Sequence, residues 1–291
     1  MGLRSMLIRN WDLHRQELAV LLGFLGVCGI LAIVFIFFNR SLHKVLRSLN
    51  IMRAQKLRSV FRELRRKGFH LAGMIYPTLF YFGIKMGLIT RFHFSLVLGI
   101  MSFVAICVEV TRFRWPKFQQ YVLLIIGKIM RKREYKHTSG MTWFTSGIFL
   151  SGAFFHPLIA MTSMWCLIFG DLMAAIIGKT FGTTKIFGQK SLQGSIGCFV
   201  SSLTITLFGF LFFGRLSITD SLILATVSSL TATLAELYTF GRINDNFTIP
   251  VSTCLTTTLA VKIFNITLPI IIKKISQTDQ VEEMSSIEQI E

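Results

Sequence analysis

The chain has 291 residues, 52% of them hydrophobic and only 15% charged. A soluble globular domain carries about 25% charged residues, so this composition excludes an ordinary soluble enzyme. The formal net charge of +17 suggests nucleic acid at first sight, but the basic residues fall between apolar runs. There they report orientation and attraction to anionic headgroups, and no reader helix or zinc-finger spacing accompanies them, so a nucleic-acid partner is set aside.

Apolar runs fall at 18–38, 69–84, 92–110, 140–157, 158–177, 195–213, 219–237 and 249–272. Runs near 20 residues are long enough to cross a hydrocarbon core of about 30 Å. The pattern predicts an all-α, polytopic transmembrane bundle of about eight spans. The split at Phe155-His156-Pro157 requires a very tight hairpin. No small-residue cleavage site follows the first run, which is read as a retained span.

Alternate connections hold 22 Lys and Arg on one side and 8 on the other. By the positive-inside rule the richer side is cytoplasmic. Three regions follow: a first span with a basic amphipathic segment (1–64), a multi-span catalytic unit (65–274) and a polar, acidic tail (275–291). Within the first, 41–66 alternates basic and apolar residues, as a helix lying on an anionic leaflet would. The five cysteines lie in apolar runs without a CxxC pair, and read as buried thiols.

Acidic residues are scarce, and ionisable groups inside spans are functional by default. Glu109, Asp171 and Glu236 lie in or at the edge of runs, and Asp245 follows in a short connection. Glu109 has a structural alternative in Arg112, one helical turn away. Around Asp171, the residues Gly170, Ala174 and Gly178 recur every four positions and form a ridge for close helix approach. Packing accounts for the glycines but not for Asp171 or for Lys179 at the exit.

Gly178-Lys179-Thr180 invites a P-loop reading, but the motif needs a glycine where Met173 stands, so it is rejected. A glycine-rich turn through Gly178, Lys179 and Gly182 can still cradle phosphate through backbone N–H groups. In the next segment Ser191 is a candidate N-cap, Gly194 permits close approach, and Lys190 brings charge to a helix N-terminus. Asp245 and Asn246 precede Pro250, and with Asp171 they are oxygen donors suited to Mg2+ or Ca2+. Arg66, Lys67 and Arg112 form basic clusters at span ends, of the kind that hold phosphates. All of these emerge at the predicted cytoplasmic face. Cations and carboxylates gathered there suit phosphoryl transfer.

At these residues the chain resembles the CTP-dependent lipid kinases, which include the fungal-type diacylglycerol kinase and the dolichol and phytol kinases. They are related to the phosphatidate cytidylyltransferases. The matching segments are RKGFH (66–70), TRFRWPKF and IMRKREYKHTSG (111–118, 129–140), GDLMAAIIGKTFG (170–182), KSLQGS (190–195) and AELYTFGRINDNFTIP (235–250). Where the family pattern places an aspartate before the Arg-x-x-Trp-Pro segment, this chain has Glu109. The resemblance implies transfer of the γ-phosphoryl group of CTP to diacylglycerol, giving phosphatidate, with a divalent metal. It implies functional positions at Arg66, Lys67, Asp171 and Gly178, and motif positions at Lys190, Gly194, Asp245 and Asn246. Glu236 joins the catalytic set, and Ser191 and Arg112 the phosphate set. An endoplasmic reticulum or nuclear membrane is implied for a eukaryote, and the cytoplasmic membrane for a bacterium. Alternatives are a polyprenol kinase, a phosphatidate cytidylyltransferase and, outside the class, a small-solute transporter. A transporter should show internal repeats, and none is evident between the halves.

Overall fold

A computed structural model describes residues 22, 75–127, 130, 132–188, 190–238 and 243–269. The predicted span 18–38, the amphipathic stretch 41–66, Arg66, Lys67 and the tail lie outside the described residues. The rest is helical. Helix α1 is Ile75–Lys85, α2 is Arg91–Arg114 and α3 is Pro116–Ile126. A single 3-10 turn at Lys132–Tyr135 leads to α4, Gly140–Phe154. Next, α5 at Pro157–Trp165 runs through a π-helical turn, Cys166–Gly170, into α6, Asp171–Phe181. Helix α7, Leu192–Phe208, ends in a second π turn at Gly209–Phe213. Helices α8, Ile218–Leu237, and α9, Asp245–Ile263, complete the bundle.

Local chemistry explains the boundaries. The hydroxyls of Thr90, Ser139, Ser191 and Ser217 accept N–H groups in the first turns of α2, α4, α7 and α8. Each satisfies a backbone donor that the helix leaves unpaired. The predicted hairpin at Phe155-His156-Pro157 is present. His156 Nδ1 accepts the Leu158 N–H at 3.3 Å, and Pro157 occupies the first turn, where no N–H is needed.

Among the described residues, four helices are long and apolar enough to cross a membrane: Arg91–Arg114, Pro157–Phe181, Leu192–Phe213 and Ile218–Leu237. They mark a membrane protein. The predicted run 140–157 is a shorter helix, and the run 249–272 is replaced by a helix that begins at Asp245 and ends at Ile263. The apolar window of Pro157–Phe181 is 78% buried, against 22% to 39% in the other three. This helix is therefore the axis around which the others pack.

Packing follows membrane rules, in which small residues and hydroxyls join helices. Ser102 and Ser146 join α2 to α4 at 2.9 Å, and Ser228 and Thr257 join α8 to α9 at 2.8 Å. The predicted ridge on α6 lies against α7. A Cβ on Gly170 would stand 2.6 Å from Ser202 Oγ, and one on Gly194 would stand 2.9 Å from the Ala174 carbonyl oxygen. The apolar core gathers Trp165, Phe210, Phe213, Tyr81 and Leu158 toward one end of the bundle. There Tyr81 Oη donates to the Phe213 carbonyl at 2.7 Å, and Arg91 to that of Phe155 at 2.7 Å. The opposite end is polar.

One element departs from the all-α expectation. Between α6 and α7 the chain forms a small antiparallel hairpin, β1 at Lys185–Phe187 and β2 at Lys190–Ser191. Gly188 turns it at φ +53°, in the left-handed region that glycine adopts freely. Short alternation in a basic loop gives too little period-2 pattern to predict such strands.

Candidate active site

The polar end is built by the C-terminal ends of α2, α6 and α8 and the N-terminal ends of α4, α7 and α9. Lys190 is its focus. Its ammonium forms an ion pair with Glu236 Oε1 across 46 residues of sequence. It also lies within electrostatic reach of Asp245 and Asp171. Burial alone would push the lysine down, but the facing Glu236, with Asp245 and Asp171 behind it, overrides this and holds its pKa above the ordinary value. One carboxylate thus pairs with the ammonium, and two more from other helices lie within its electrostatic reach.

All three carboxylates are buried. Glu236 stands in the last turn of α8, and Asp245 opens α9. Asp171 opens α6 directly after the π turn, about 15 Å along the axis from Phe181 at roughly 1.5 Å per residue. It is buried at the head of α6 and lies within electrostatic reach of Lys190. π turns of this kind widen a helix by one residue and often accompany functional sites.

Beneath the hairpin the small residues form one layer. Ser191 Oγ caps α7 by accepting the Gly194 N–H at 3.2 Å. The same oxygen lies 3.2 Å from where a Cβ of Gly178 would stand and 2.6 Å from that of Gly182. These glycines therefore let α6 approach the entrance of α7. Lys179, next to Gly178, is exposed in the last turn of α6.

Asn246 ties α9 to α4: its Nδ2 donates to the Gly140 carbonyl at 3.0 Å. The cap of α9 is Asn244, whose Oδ1 accepts the Asn246 N–H at 3.0 Å, while Asp245 Oδ1 accepts the same N–H at 3.1 Å.

Arg112, placed by sequence among the phosphate-binding residues, is 1% exposed. Its Nε and Nη2 donate to Glu109 Oε2 at 2.9 and 2.7 Å, and Nη2 also donates to the carbonyls of Glu134 and His137. Glu109 Oε1 accepts from the Ser139 N–H and from Thr142 Oγ1. The pair weighed as the structural alternative is thus formed, and it pins the connection that leads into α4. Arg112 is not among the groups that meet at Lys190.

Sequence reasoning passed over Glu134, which is buried with its Oε1 3.4 Å from where a Cβ of Gly140 would stand. Its signal was available: it is the only acid between Lys128 and Lys136. It also passed over Gln193, whose Oε1 accepts the N–H groups of Thr183 and Thr184 and fixes the base of the hairpin. Among the described residues, no three His, Cys, Asp or Glu side chains stand together as a ready metal cage.

The chain is 32% identical over 200 residues to an uncharacterised protein of Rickettsia prowazekii, covering 68% of this chain and 94% of that protein. It is 33% identical over 104 residues to the CTP-dependent diacylglycerol kinase 1 of Eremothecium gossypii, and 34% identical over 93 residues to that of Saccharomyces cerevisiae. The Schizosaccharomyces pombe enzyme of the same name is 35% identical over 94 residues. These matches cover 31% to 35% of this chain and 32% to 43% of the fungal proteins. No protein-family model matches the chain. No solved structure matches it either. By its similarity to three fungal enzymes of one name, the chain belongs to the CTP-dependent lipid kinase family.

Proposed function

We propose that the chain is an integral membrane kinase that transfers the γ-phosphoryl group of CTP to diacylglycerol, yielding CDP and phosphatidate. One observation carries the reading: Lys190 and Glu236 form an ion pair at the polar end of an apolar bundle, with the buried Asp171 and Asp245 within electrostatic reach. Phosphoryl transfer needs positioned anions and cations around an in-line displacement, and little covalent work from the protein. The names of the fungal relatives supply the nucleotide and the acceptor.

Each side chain then has a task. Lys190 leaves Glu236 for the phosphates and offsets their charge. Glu236 accepts the proton of the lipid hydroxyl as its oxygen bonds to the γ-phosphorus. The bridging P–O bond breaks, and CDP departs with the electron pair. Asp171 orients the hydroxyl. The N-terminus of α7, capped by Ser191, offers the positive end of its dipole to the anion. Gly178, Gly182 and Gly194 keep α6 close enough to α7 for this geometry. Lys179, at the exit of α6, and Arg66 and Lys67, by the family resemblance, add positive charge. Arg112 acts at a distance, by fixing the connection into α4.

The donor set fits a divalent cation. Three carboxylates against one ammonium leave two formal negative charges, which would repel a nucleotide. Asp171 and Asp245 are hard oxygen donors, and Asn246, whose nitrogen is spent on Gly140, keeps its carbonyl oxygen. Mg2+ in such sites takes one or two carboxylates and completes its shell with phosphate and water, and Ca2+ accepts the same donors. When bound, the ion offsets charge on the phosphate oxygens. The basic connections at this end of the bundle support a cytoplasmic face for the site.

The test uses purified protein in mixed micelles with Mg2+ and CTP labelled at the α or the γ phosphate. Diacylglycerol, a polyprenol and phosphatidate are offered separately. γ-Label in phosphatidate made from diacylglycerol is expected. γ-Label only in polyprenyl phosphate would reassign the acceptor, and α-label in lipid would mean nucleotidyl transfer. No labelled lipid from folded protein would overturn the kinase reading.

A further inference from the structure

The two elements that carry the ion pair also carry an aromatic pair. The hairpin contributes Phe187 as well as Lys190, and the end of α8 contributes Tyr238 as well as Glu236. The rings of Phe187 and Tyr238 meet with centroids 5.5 Å apart and planes inclined at 56°. Neither is a core residue, since Phe187 is 52% and Tyr238 46% exposed. Phe187 is the cross-strand partner of Lys190. Residues opposite one another in an antiparallel pair extend to the same face, with Cβ atoms about 5 Å apart. A ligand lying on these rings is therefore within reach of Lys190.

We infer that Phe187 and Tyr238 form the platform on which the nucleobase stacks while the phosphates run to Lys190. The inference rests on reading the polar end around Lys190 as a nucleoside triphosphate site. A planar π face joined to a polyanion is the chemistry that matches two half-exposed rings beside a lysine. A diacyl lipid has no planar face to offer them. Stacking on aromatic side chains contributes on the order of 1–3 kcal/mol per base and is tolerant of base identity, because every base has a π face. The platform accordingly contributes affinity for the nucleotide, and the choice of cytosine falls to other groups.

The test is equilibrium binding of CTP and of inorganic tripolyphosphate, each with Mg2+, to the full chain in nanodiscs without acceptor lipid. Phe187→Ala and Tyr238→Ala are each expected to weaken CTP binding at least about fivefold. Tripolyphosphate binding should stay within about twofold, and Phe187→Trp should bind CTP as the wild type does. Equal weakening of both ligands would mean that the rings only hold the hairpin in place, and would overturn the inference. Unchanged binding of both, with a raised KM for the lipid acceptor, would make the rings interfacial anchors, and would also overturn it. In either case the kinase reading stands. A wild-type protein that binds neither ligand would overturn the nucleotide-site reading, and this inference with it.

Discussion

Replacing Gly194 by alanine adds one methyl group where α7 meets the backbone of α6 in the candidate site. Its nearest neighbours would be the Ala174 carbonyl oxygen at 2.9 Å, the Gly178 Cα at 3.2 Å and Ser191 Oγ at 3.2 Å. Two of the three are backbone atoms, which cannot rotate away, so α6 and α7 must separate by several tenths of an ångström. Overpacking of this kind costs about 1–3 kcal/mol. The separation also moves Ser191 and Lys190 relative to Glu236, so the loss of activity should exceed the loss of stability. Gly99→Ala is the control. There the added methyl meets only the Phe149 ring, 3.2 Å away at its nearest atom and free to adjust, and both effects should be small. The assays are thermal denaturation in detergent and initial rate with γ-labelled CTP. Because the clash is with the carbonyl oxygen of Ala174 and not its methyl, Ala174→Gly should not rescue Gly194→Ala. Rescue, or a Gly194→Ala protein with wild-type stability and rate, would refute the packing argument.

Asp171→Asn should keep the fold and lose about 100-fold or more in transfer rate, and near-normal turnover in micelles would remove Asp171 from the site. Arg112→Met strands the buried Glu109 carboxylate and two carbonyls, and should cost about 3–5 kcal/mol in a denaturation assay. Adding Glu109→Gln should recover part of that loss, and no recovery would count against the pair. Lys190 has its pKa raised above the ordinary 10.5, so the ion pair with Glu236 stabilises the fold fully below that pH. That stability is lost as pH rises through the raised value. Melting temperature should therefore fall above about pH 10.5 in the wild type, and less steeply in Lys190→Arg.

The parts of this architecture visible in the sequence are those encoded locally. Hydropathy placed the helices at Arg91–Arg114, Leu192–Phe213 and Ile218–Leu237 because a membrane imposes length and apolarity residue by residue. Ser191 was legible as a cap, and Gly170, Ala174 and Gly178 as a ridge, because each depends on its own helix. The gathering of polar clusters at one end followed from counting connections. What stayed hidden depends on tertiary partners. Nothing within the sequence neighbourhood of Lys190 points to Glu236, 46 residues away. The enclosure of Arg112 depends on carbonyls at Glu134 and His137 whose direction is set by the fold. The π turns left no mark either, since their apolar residues also suit an α-helix.

The π turn at Cys166–Gly170 gives the central helix two independent phases. Upstream, α5 presents Leu158, Met161 and Trp165 to the aromatic core. Downstream, α6 carries the buried Asp171, within electrostatic reach of Lys190, and presents its small-residue ridge to α7. An uninterrupted α-helix advances about 100° per residue, so removing one residue from the turn would rotate everything after it by that angle. The helix would survive, and its upper half would keep its packing. The carboxylate and the ridge would then face the wrong neighbours together. One wide turn thus acts as a phase shifter between a half shaped for cohesion and a half shaped for chemistry, and it allows each to change without re-indexing the other.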